Sequence, residues 1–343
     1  MKHHGRAYLI NFSLLGIALV VSVAVGAVFI PPNILARMWF ALLPGLSPPA
    51  DLPGIFETIV FQIRLPHAAL IALAGAALGG SGAAYQGLFR NPLADPYLIG
   101  VASGAGLGAV LAMAYRWPTG LLGYFNIPAF AFLGAAATVA LVYTLARTGK
   151  ALPTTTLILA GVAVGSFAAA MTSFLMLRSV GEVRRALAYL LGGATLGGWA
   201  PVYAMLPYLA LGLGLLLTSG HALNVLQFGD EQAKQLGLPV ERTKTLLILA
   251  ASLATGAAVS FTGVIGFVGL IVPHLVRLIW GPDYRHLVPL SVLAGATALL
   301  IADVLARIVM APQELPIGII TALAGAPFFL WVLRQSQRAA ARD

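Results

Sequence analysis

Residues 229–261 read GDEQAKQLGLPVERTKTLLILAASLATGAAVSF. The first sixteen, 229–244, hold six of the 31 Asp, Glu, Lys and Arg residues of the chain (20 basic and 11 acidic), and the run 245–261 that follows holds none. An uncharged run of that length is close to what a helix needs to cross a hydrocarbon core of about 30 Å. The charged stretch beside it belongs in water, and so is the place where a soluble partner is expected.

The same contrast fills the rest of the 343 residues. Only 9% are charged, 59% are apolar, 38 are glycine, and the mean hydropathy is +0.92; a soluble domain would carry about 25% charged residues. Ten apolar stretches recur: 8–30, 64–89, 97–115, 124–145, 154–177, 188–218, 245–261, 264–279, 287–309 and 317–333. The sixth is long and contains Pro201 and Pro207, so it is predicted to kink or to lie partly outside the membrane. The expected fold is all-α, a polytopic membrane protein of about ten transmembrane helices. Residues 1–343 form a single domain on this reading, since no hydrophilic stretch is long enough for a second. Lys2 and Arg6 precede an apolar run longer than the usual 7 to 15 residues of a signal peptide, which predicts a retained first helix.

An even number of crossings puts both termini on one side. With the termini inside, twelve basic residues fall on inner segments: Lys2, Arg6, Arg90, Arg147, Lys150, Lys234, Arg242, Lys244, Arg285, Arg334, Arg338 and Arg342. Seven fall outside: Arg37, Arg64, Arg116, Arg178, Arg184, Arg185 and Arg307. The bias favours cytoplasmic termini. The net charge of +9 is thus a property of loops and does not point to nucleic acid. The absence of cysteine excludes disulfides, thiolate metal sites and a Cys nucleophile.

Glycines at intervals of four, Gly75 and Gly79, Gly161 and Gly165, and Gly100, Gly104 and Gly108, fall on single helix faces and predict close helix packing in lipid. Gly104-Ala-Gly106-Leu-Gly108 lacks the strand–turn–helix context of a dinucleotide loop. No GxxxxGK[ST] phosphate loop occurs, so the chain does not bind ATP by that route. The one carboxylate well inside a predicted crossing is Asp303. Arg307, four residues on, is spaced for a local ion pair, which leaves little to couple an ion gradient.

Within the charged stretch, Asp230 to Gly237 reads as a short helix. Asp230 and Glu231 lie in its first turn, Lys234 near its end, Gly237 terminates it, and Pro239 blocks continuation. With Ala233 and Leu236 on one side it would suit a groove on a cytoplasmic protein; a merely solvated loop is the other reading. His274, after Pro273, is expected to be a packed, hydrogen-bonded residue and not a metal ligand, because no His, Asp or Glu stands three or four residues away.

The residues also carry a family resemblance. Gln62-Ile-Arg64-Leu-Pro66, Gly75-Ala-Ala-Leu78 and Gln86-Gly-Leu-Phe-Arg90-Asn91-Pro92-Leu93-Ala94-Asp95-Pro96 are followed in order by Leu159-Ala160-Gly161-Val162. Gly263-Val-Ile-Gly266-Phe-Val-Gly269-Leu-Ile-Val-Pro273-His274, Ala302-Asp303 through Arg307, Glu314-Leu-Pro316-Ile-Gly318 and Gly325-Ala326-Pro327 complete the series. Over roughly residues 60 to 335 the chain resembles the FecCD-type permeases of binding-protein-dependent ABC importers, which take up iron–siderophore complexes, haem and cobalamin.

That resemblance implies a half-transporter. Ten helices per chain pair with a second copy or a close paralogue around a central path. Two cytoplasmic ATPase subunits below use ATP and Mg, and a periplasmic or lipid-anchored binding protein sits above. No cofactor is expected on this chain. By resemblance, Asp230, Glu231, Lys234, Gln235, Leu236 and Gly237 form the ATPase coupling segment, within about 219–244. Asn91 and Leu93 lie in an inner loop that narrows the path, and Thr154 and Thr155 match a hydroxyl-bearing gate, although Thr154-Thr155-Thr156 after Pro153 reads equally as a helix start. Arg64 and Arg307 match positions that receive acidic side chains of the binding protein; simple interfacial snorkelling is the alternative. His67 stands where the family often has a second Arg. The expected cargo is a metal chelate, with iron–siderophore first in order, then cobalamin and haem. A stand-alone channel or ion-coupled carrier is the rival reading.

Overall fold

The computed structural model describes residues 2–26, 30–40, 54–115, 123–149, 152–179, 181–193 and 196–340. Arg116, Lys150 and Arg342 of the charge distribution, and residues 27–29 of the first apolar stretch, lie outside these.

Helix α1 (Lys2–Ala24) is followed by the short α2 (Pro32–Phe40) and α3 (Gly54–Glu57), and α3 runs through a π-helical stretch, Thr58–Arg64, into α4 (Leu65–Leu88). A 3-10 turn, Pro96–Ile99, leads into α5 (Val101–Ala114), and α6 (Asn126–Ala146), α7 (Thr154–Arg178) and α8 (Val183–Leu190) follow. The second half comprises α9 (Ala200–Thr218), α10 (Gly220–Leu226), α11 (Asp230–Gln235), α12 (Val240–Thr262), α13 (Val268–Trp280), α14 (Tyr284–Ile308) and α15 (Ile317–Ala340). Among the described residues, seven helical segments are long and apolar enough to cross a membrane, and α5, α13 and the first part of α15 are shorter apolar helices. Together they match the ten apolar stretches of the sequence.

The centre of the bundle is α4, packed against α14, α12, α13 and α9. Its small residues explain why. A Cβ at Gly75 would strike the carbonyl of Gly295, and one at Gly79 would strike that of Ser291, so the α4 and α14 backbones touch directly. Gly104 and Gly108 of α5 meet the carbonyls of Gly134 and Phe130 of α6 in the same way. In lipid, where no hydrophobic drive pulls helices together, close backbone approach supplies the dispersion contacts. Polar side chains add bonds at depth: Ser81 Oγ donates to Ala251 O (3.1 Å), Tyr85 Oη lies 2.9 Å from Ser252 Oγ, and Tyr189 Oη donates to Val259 O (2.9 Å).

Three expected crossings are divided or shortened, each for a local reason. The stretch 188–218 is two elements: α8 ends at Leu190 and α9 starts at Ala200 with Pro201 in its first turn, where a missing N–H costs nothing. Pro201 therefore starts a helix and does not kink one; Pro207 remains inside α9. Stretch 97–115 is broken at Gly100, whose φ of +82° ends the 3-10 turn before α5 begins. Stretch 264–279 becomes helical only from Val268, after Phe267 at φ +69°. At about 1.5 Å per residue, α5 (14 residues) and α13 (13 residues) are each about 20 Å long, short of a hydrocarbon core. Both start within the bundle. The non-helical backbone before them is held by protein, as membrane depth requires: Tyr97 Oη donates to Ile265 O (2.8 Å), and Pro96 abuts Gly269.

Candidate functional site

The contacts sort the functional residues onto two opposite ends of the bundle. At one end lie the start of α1, the end of α4, α10, α11 and the starts of α12 and α14. Tyr8 Oη meets His286 Nδ1 (3.2 Å), Asn224 Nδ2 donates to Asp283 Oδ1 (2.7 Å), and Gln227 Nε2 donates to Gly87 O (2.9 Å). At the other end lie the last turn of α1, the π-helical stretch, α8 and the end of α14, joined by the Arg64 and Arg307 bonds described below and by Trp199 Nε1 donating to Phe61 O (2.9 Å).

The expected short helix exists as α11, with acidic Asp230 and Glu231 in its first turn and Lys234 in its last. Gly237 at φ +85° ends it, its N–H donating to Lys234 O (3.0 Å) while the Leu238 N–H donates to Ala233 O (3.0 Å). These two bonds are the glycine-dependent stop that a helix uses to satisfy its last carbonyls. Side-chain directions differ from expectation in two places. Ala233 is fully buried against the chain's own core and Leu236 is exposed, so the two do not share an outward face. Asp230 turns inward and forms an ion pair with Lys244 of α12, which is itself buried. The outward surface is Glu231, Lys234, Gln235 and Leu236, with Phe228 just ahead of the helix; Phe228 and Leu236 are 64% and 65% exposed. Phe228 is an addition to the site. It stands as the one aromatic next to the polar stretch, but a single apolar residue has no periodicity to announce which way it points. Glu241 fixes the base of this region: its Oε2 accepts from Leu152 N (3.1 Å) and its Oε1 lies 4.0 Å from Lys234 Nζ.

Asn91 and Leu93 lie in the turn between α4 and the Pro96–Ile99 turn. Asn91 Oδ1 accepts from Leu93 N (2.9 Å), a local turn that holds both residues in register, with Asn91 exposed and Leu93 half-buried. Arg90, at φ +50°, sits against Gly229 at the start of the α11 segment. The turn beyond them reaches α7, where Gly161 lets the carbonyl of Leu98 approach. Helix α7 does begin at Thr154, but its capping position is Pro153, which has no side-chain group to offer the free N–H groups. Thr155 is exposed and Thr154 half-buried. No hydrogen bond links the Asn91–Leu93 pair to the two threonines.

Arg277 is a further residue of this region that the loop-by-loop charge distribution passes over, because it lies inside an apolar stretch. Its Nη2 donates to Gln86 Oε1 (2.9 Å), its guanidinium lies 5.9 Å from the centre of the Tyr284 ring, and buried Gln86 also donates to Leu270 O (3.0 Å). One turn earlier, the His274 ring packs edge-on against Phe328 with centroids 5.9 Å apart. His274 Nδ1 is buried with no hydrogen-bond partner among the described residues, so the expected hydrogen bond is not made there; packing is.

At the opposite end the structure brings Arg64, His67 and Arg307 together around Asp303. Asp303 is 3% exposed; its Oδ1 lies 2.8 Å from His67 Nε2 and its Oδ2 lies 2.8 Å from Arg307 Nη2. Both arginines then reach the end of α1. Arg64 Nη1 donates to Val23 O (2.8 Å) and Ala24 O (3.0 Å); Arg307 Nη1 donates to Val25 O (2.6 Å) and its Nη2 to Ser22 O (3.1 Å). Four carbonyls at the C-terminal end of a helix, which carry its negative pole, are thus met by two guanidiniums. Arg307 is 10% exposed and Arg64 half-buried, so neither is a freely snorkelling side chain.

Among the described residues no cluster of three or more His, Asp or Glu could hold a metal ion. Outside the spans, the Asp283 carboxylate is strongly altered by its surroundings. The Arg285 side chain, with Asn224 assisting, holds its carboxyl well below the usual range, and its Oδ1 accepts from Arg285 N (3.0 Å) to cap α14.

A model of the FecCD transport family matches residues 14–335. The chain is 43% identical over 333 residues to the uncharacterized ABC transporter permease protein YvrB of Bacillus subtilis, covering 97% of this chain and 94% of that protein. It is 46% identical over 301 residues to the cobalamin import system permease protein BtuC of Halobacterium salinarum, covering 87% and 80%. A solved inward-facing structure of a metal-chelate type ABC transporter superposes with a TM-score of 0.80 at 28% identity, over 96% of this chain and 99% of that one. The broken crossings before α5 and α13, the anchored short helix α11 and these similarities have one common source: the chain belongs to the FecCD transport family, as the membrane permease subunit of an ATP-driven importer of metal chelates.

Proposed function

We propose that two copies of this chain form the path of the importer, that α11 docks in a groove of a cytoplasmic ATPase subunit on each side, and that a binding protein delivers the chelate at the opposite end. The observation that carries the coupling role is the outward pair Phe228 and Leu236 beside a helix whose other face is locked into the bundle. Large exposed apolar groups flanked by Glu231 and Lys234 make the core and rim of a small protein interface. ATP and Mg act on the partner subunits, and the Asp230–Lys244 pair passes their movement into α12. The termini and α11 lie on the cytoplasmic side in this reading, supported by the basic residues concentrated there.

Thr154 and Thr155 at the start of α7, with Asn91 and Leu93, are the inner gate of the path, and Arg277 adds positive charge close by. At the far end Arg64 and His67 meet the binding protein. Arg307 is a strut of that face, since its guanidinium is occupied by α1 and Asp303. Cobalamin is the first cargo to test, supported by the 46% identity to a cobalamin permease. The experiment is co-purification with a partner ABC ATPase subunit. Leu236→Asp and Glu231→Lys should each release the ATPase while the permease stays folded, and retention of the ATPase by both variants would remove α11 from the interface.

A further inference from the structure

The α6–α12 side of the bundle carries a groove lined by none of the residues assigned above to the path. A cavity of about 300 Å³ runs between the two helices, walled by Phe132, Ala136 and Ala140 of α6 and by Leu249 and Gly256 of α12. Its walls are almost wholly apolar, and the small residues make the room: a Cβ at Gly256 would meet only Ala135 and Phe132 at ordinary contact distance. At its inner end Tyr143, whose hydroxyl lies 3.1 Å from Thr245 Oγ1, is shared with a second cavity of about 410 Å³. That second cavity is lined by Arg147, Glu241, Arg242 and Thr245.

Length and charge select the occupant. From Gly256 to Thr245 along α12 is about 16 Å at about 1.5 Å per residue, close to the roughly 15 Å that one leaflet contributes to a hydrocarbon core of about 30 Å. The apolar cavity itself lines α12 only from Gly256 to Ile248, and the arginine-lined cavity takes over at Thr245, about one leaflet's depth from Gly256, where headgroups would lie. Arg147 and Arg242 are exposed, and neither has a carboxylate partner among the described residues. The one acid in the cavity, Glu241, is engaged by Leu152 N and Lys234. Basic pockets between transmembrane helices at the cytoplasmic surface favour anionic headgroups. We propose that the α6–α12 groove is a binding site for an anionic phospholipid of the inner leaflet, its acyl chain along α12 and its phosphate between Arg147 and Arg242.

The test is native mass spectrometry of the purified full chain, delipidated and then offered phosphatidylglycerol or phosphatidylcholine of identical acyl chains. Phosphatidylglycerol adducts should exceed phosphatidylcholine adducts about tenfold. The double variant Arg147→Gln/Arg242→Gln, on exposed residues that leave the packing intact, should bring the two lipids level. Gly256→Leu should fill the groove and lower both. Glycerol phosphate in solution should displace neither lipid. Equal binding of the two lipids by the unaltered chain, or an undiminished preference in the arginine variant, would overturn the proposal. So would displacement by glycerol phosphate. The chain has no cysteine, so Ala140→Cys adds a single thiol; a disulfide joining two copies through it would show that a second chain covers the groove, and would overturn the proposal as well.

Discussion

The ammonium of Lys244, a residue 5% exposed at the start of α12, is paired with the carboxylate of Asp230 at the start of α11. A short helix and a transmembrane helix are therefore joined by an ion pair that is buried on one side and 39% exposed on the other. Removing one partner of a fully buried pair costs about 3–5 kcal/mol, because a charge is left unpaired; the partial exposure of Asp230 lowers the expected cost of Asp230→Ala to about 1–3 kcal/mol. The thermal midpoint in detergent should fall for Asp230→Ala and less for Asp230→Ala/Lys244→Met, which leaves no orphan charge. Equal losses would show that the pair does not carry the junction.

The end of α1 offers a second test. Arg307→Met deletes the bonds to Ser22 and Val25 and leaves Asp303 with His67 as its remaining ionic partner. A destabilisation of about 3 kcal/mol is expected, with part of it recovered by adding Asp303→Asn, since the two sites share one network. Chemical denaturation in detergent measures both. Additive losses would contradict the shared network.

Asp283 gives a prediction in pH. Its folded-state pKa is depressed, chiefly by Arg285, so its contribution is present above the unfolded value of about 4 and is lost as pH falls below it. Asp283→Asn should cost roughly 0.5–1 kcal/mol at pH 7 through the weakened cap of α14 and the weakened tie to Asn224. The gap between variant and parent should stay constant from pH 7 to 5 and close only in stronger acid. A gap that closed near pH 6 would assign the effect to His286, which lies close to Asp283.

Which parts were legible in sequence follows from what each kind of signal encodes. Apolar length encodes a crossing, so the ten stretches match the helices, and the glycine lines at Gly75 and Gly104 name helix faces that do touch. Composition does not encode where a helix breaks inside protein, so the unwound backbone at Gly100 and Phe267 is not visible as a hydropathy change. Acidic first turn, Lys and Gly237 encode the existence and limits of α11. They leave its rotation open, and rotation is what turns Ala233 and Asp230 inward and leaves Phe228 and Leu236 outside. The spacing of Asp303 and Arg307 gives their ion pair directly. The engagement of Arg64 and Arg307 by the end of α1 joins residues about 40 and 280 positions apart, which no local pattern contains.

A permease driven by a separate ATPase should be inert on its own. Uptake of radiolabelled cyanocobalamin into proteoliposomes, with the permease alone and with its ATPase and binding protein, measures that directly. The expected result is no uptake by the permease alone, ATP-dependent uptake by the full set, and loss of uptake with Leu236→Asp. Substrate accumulation by the permease alone, driven by an ion gradient or by none, would contradict it.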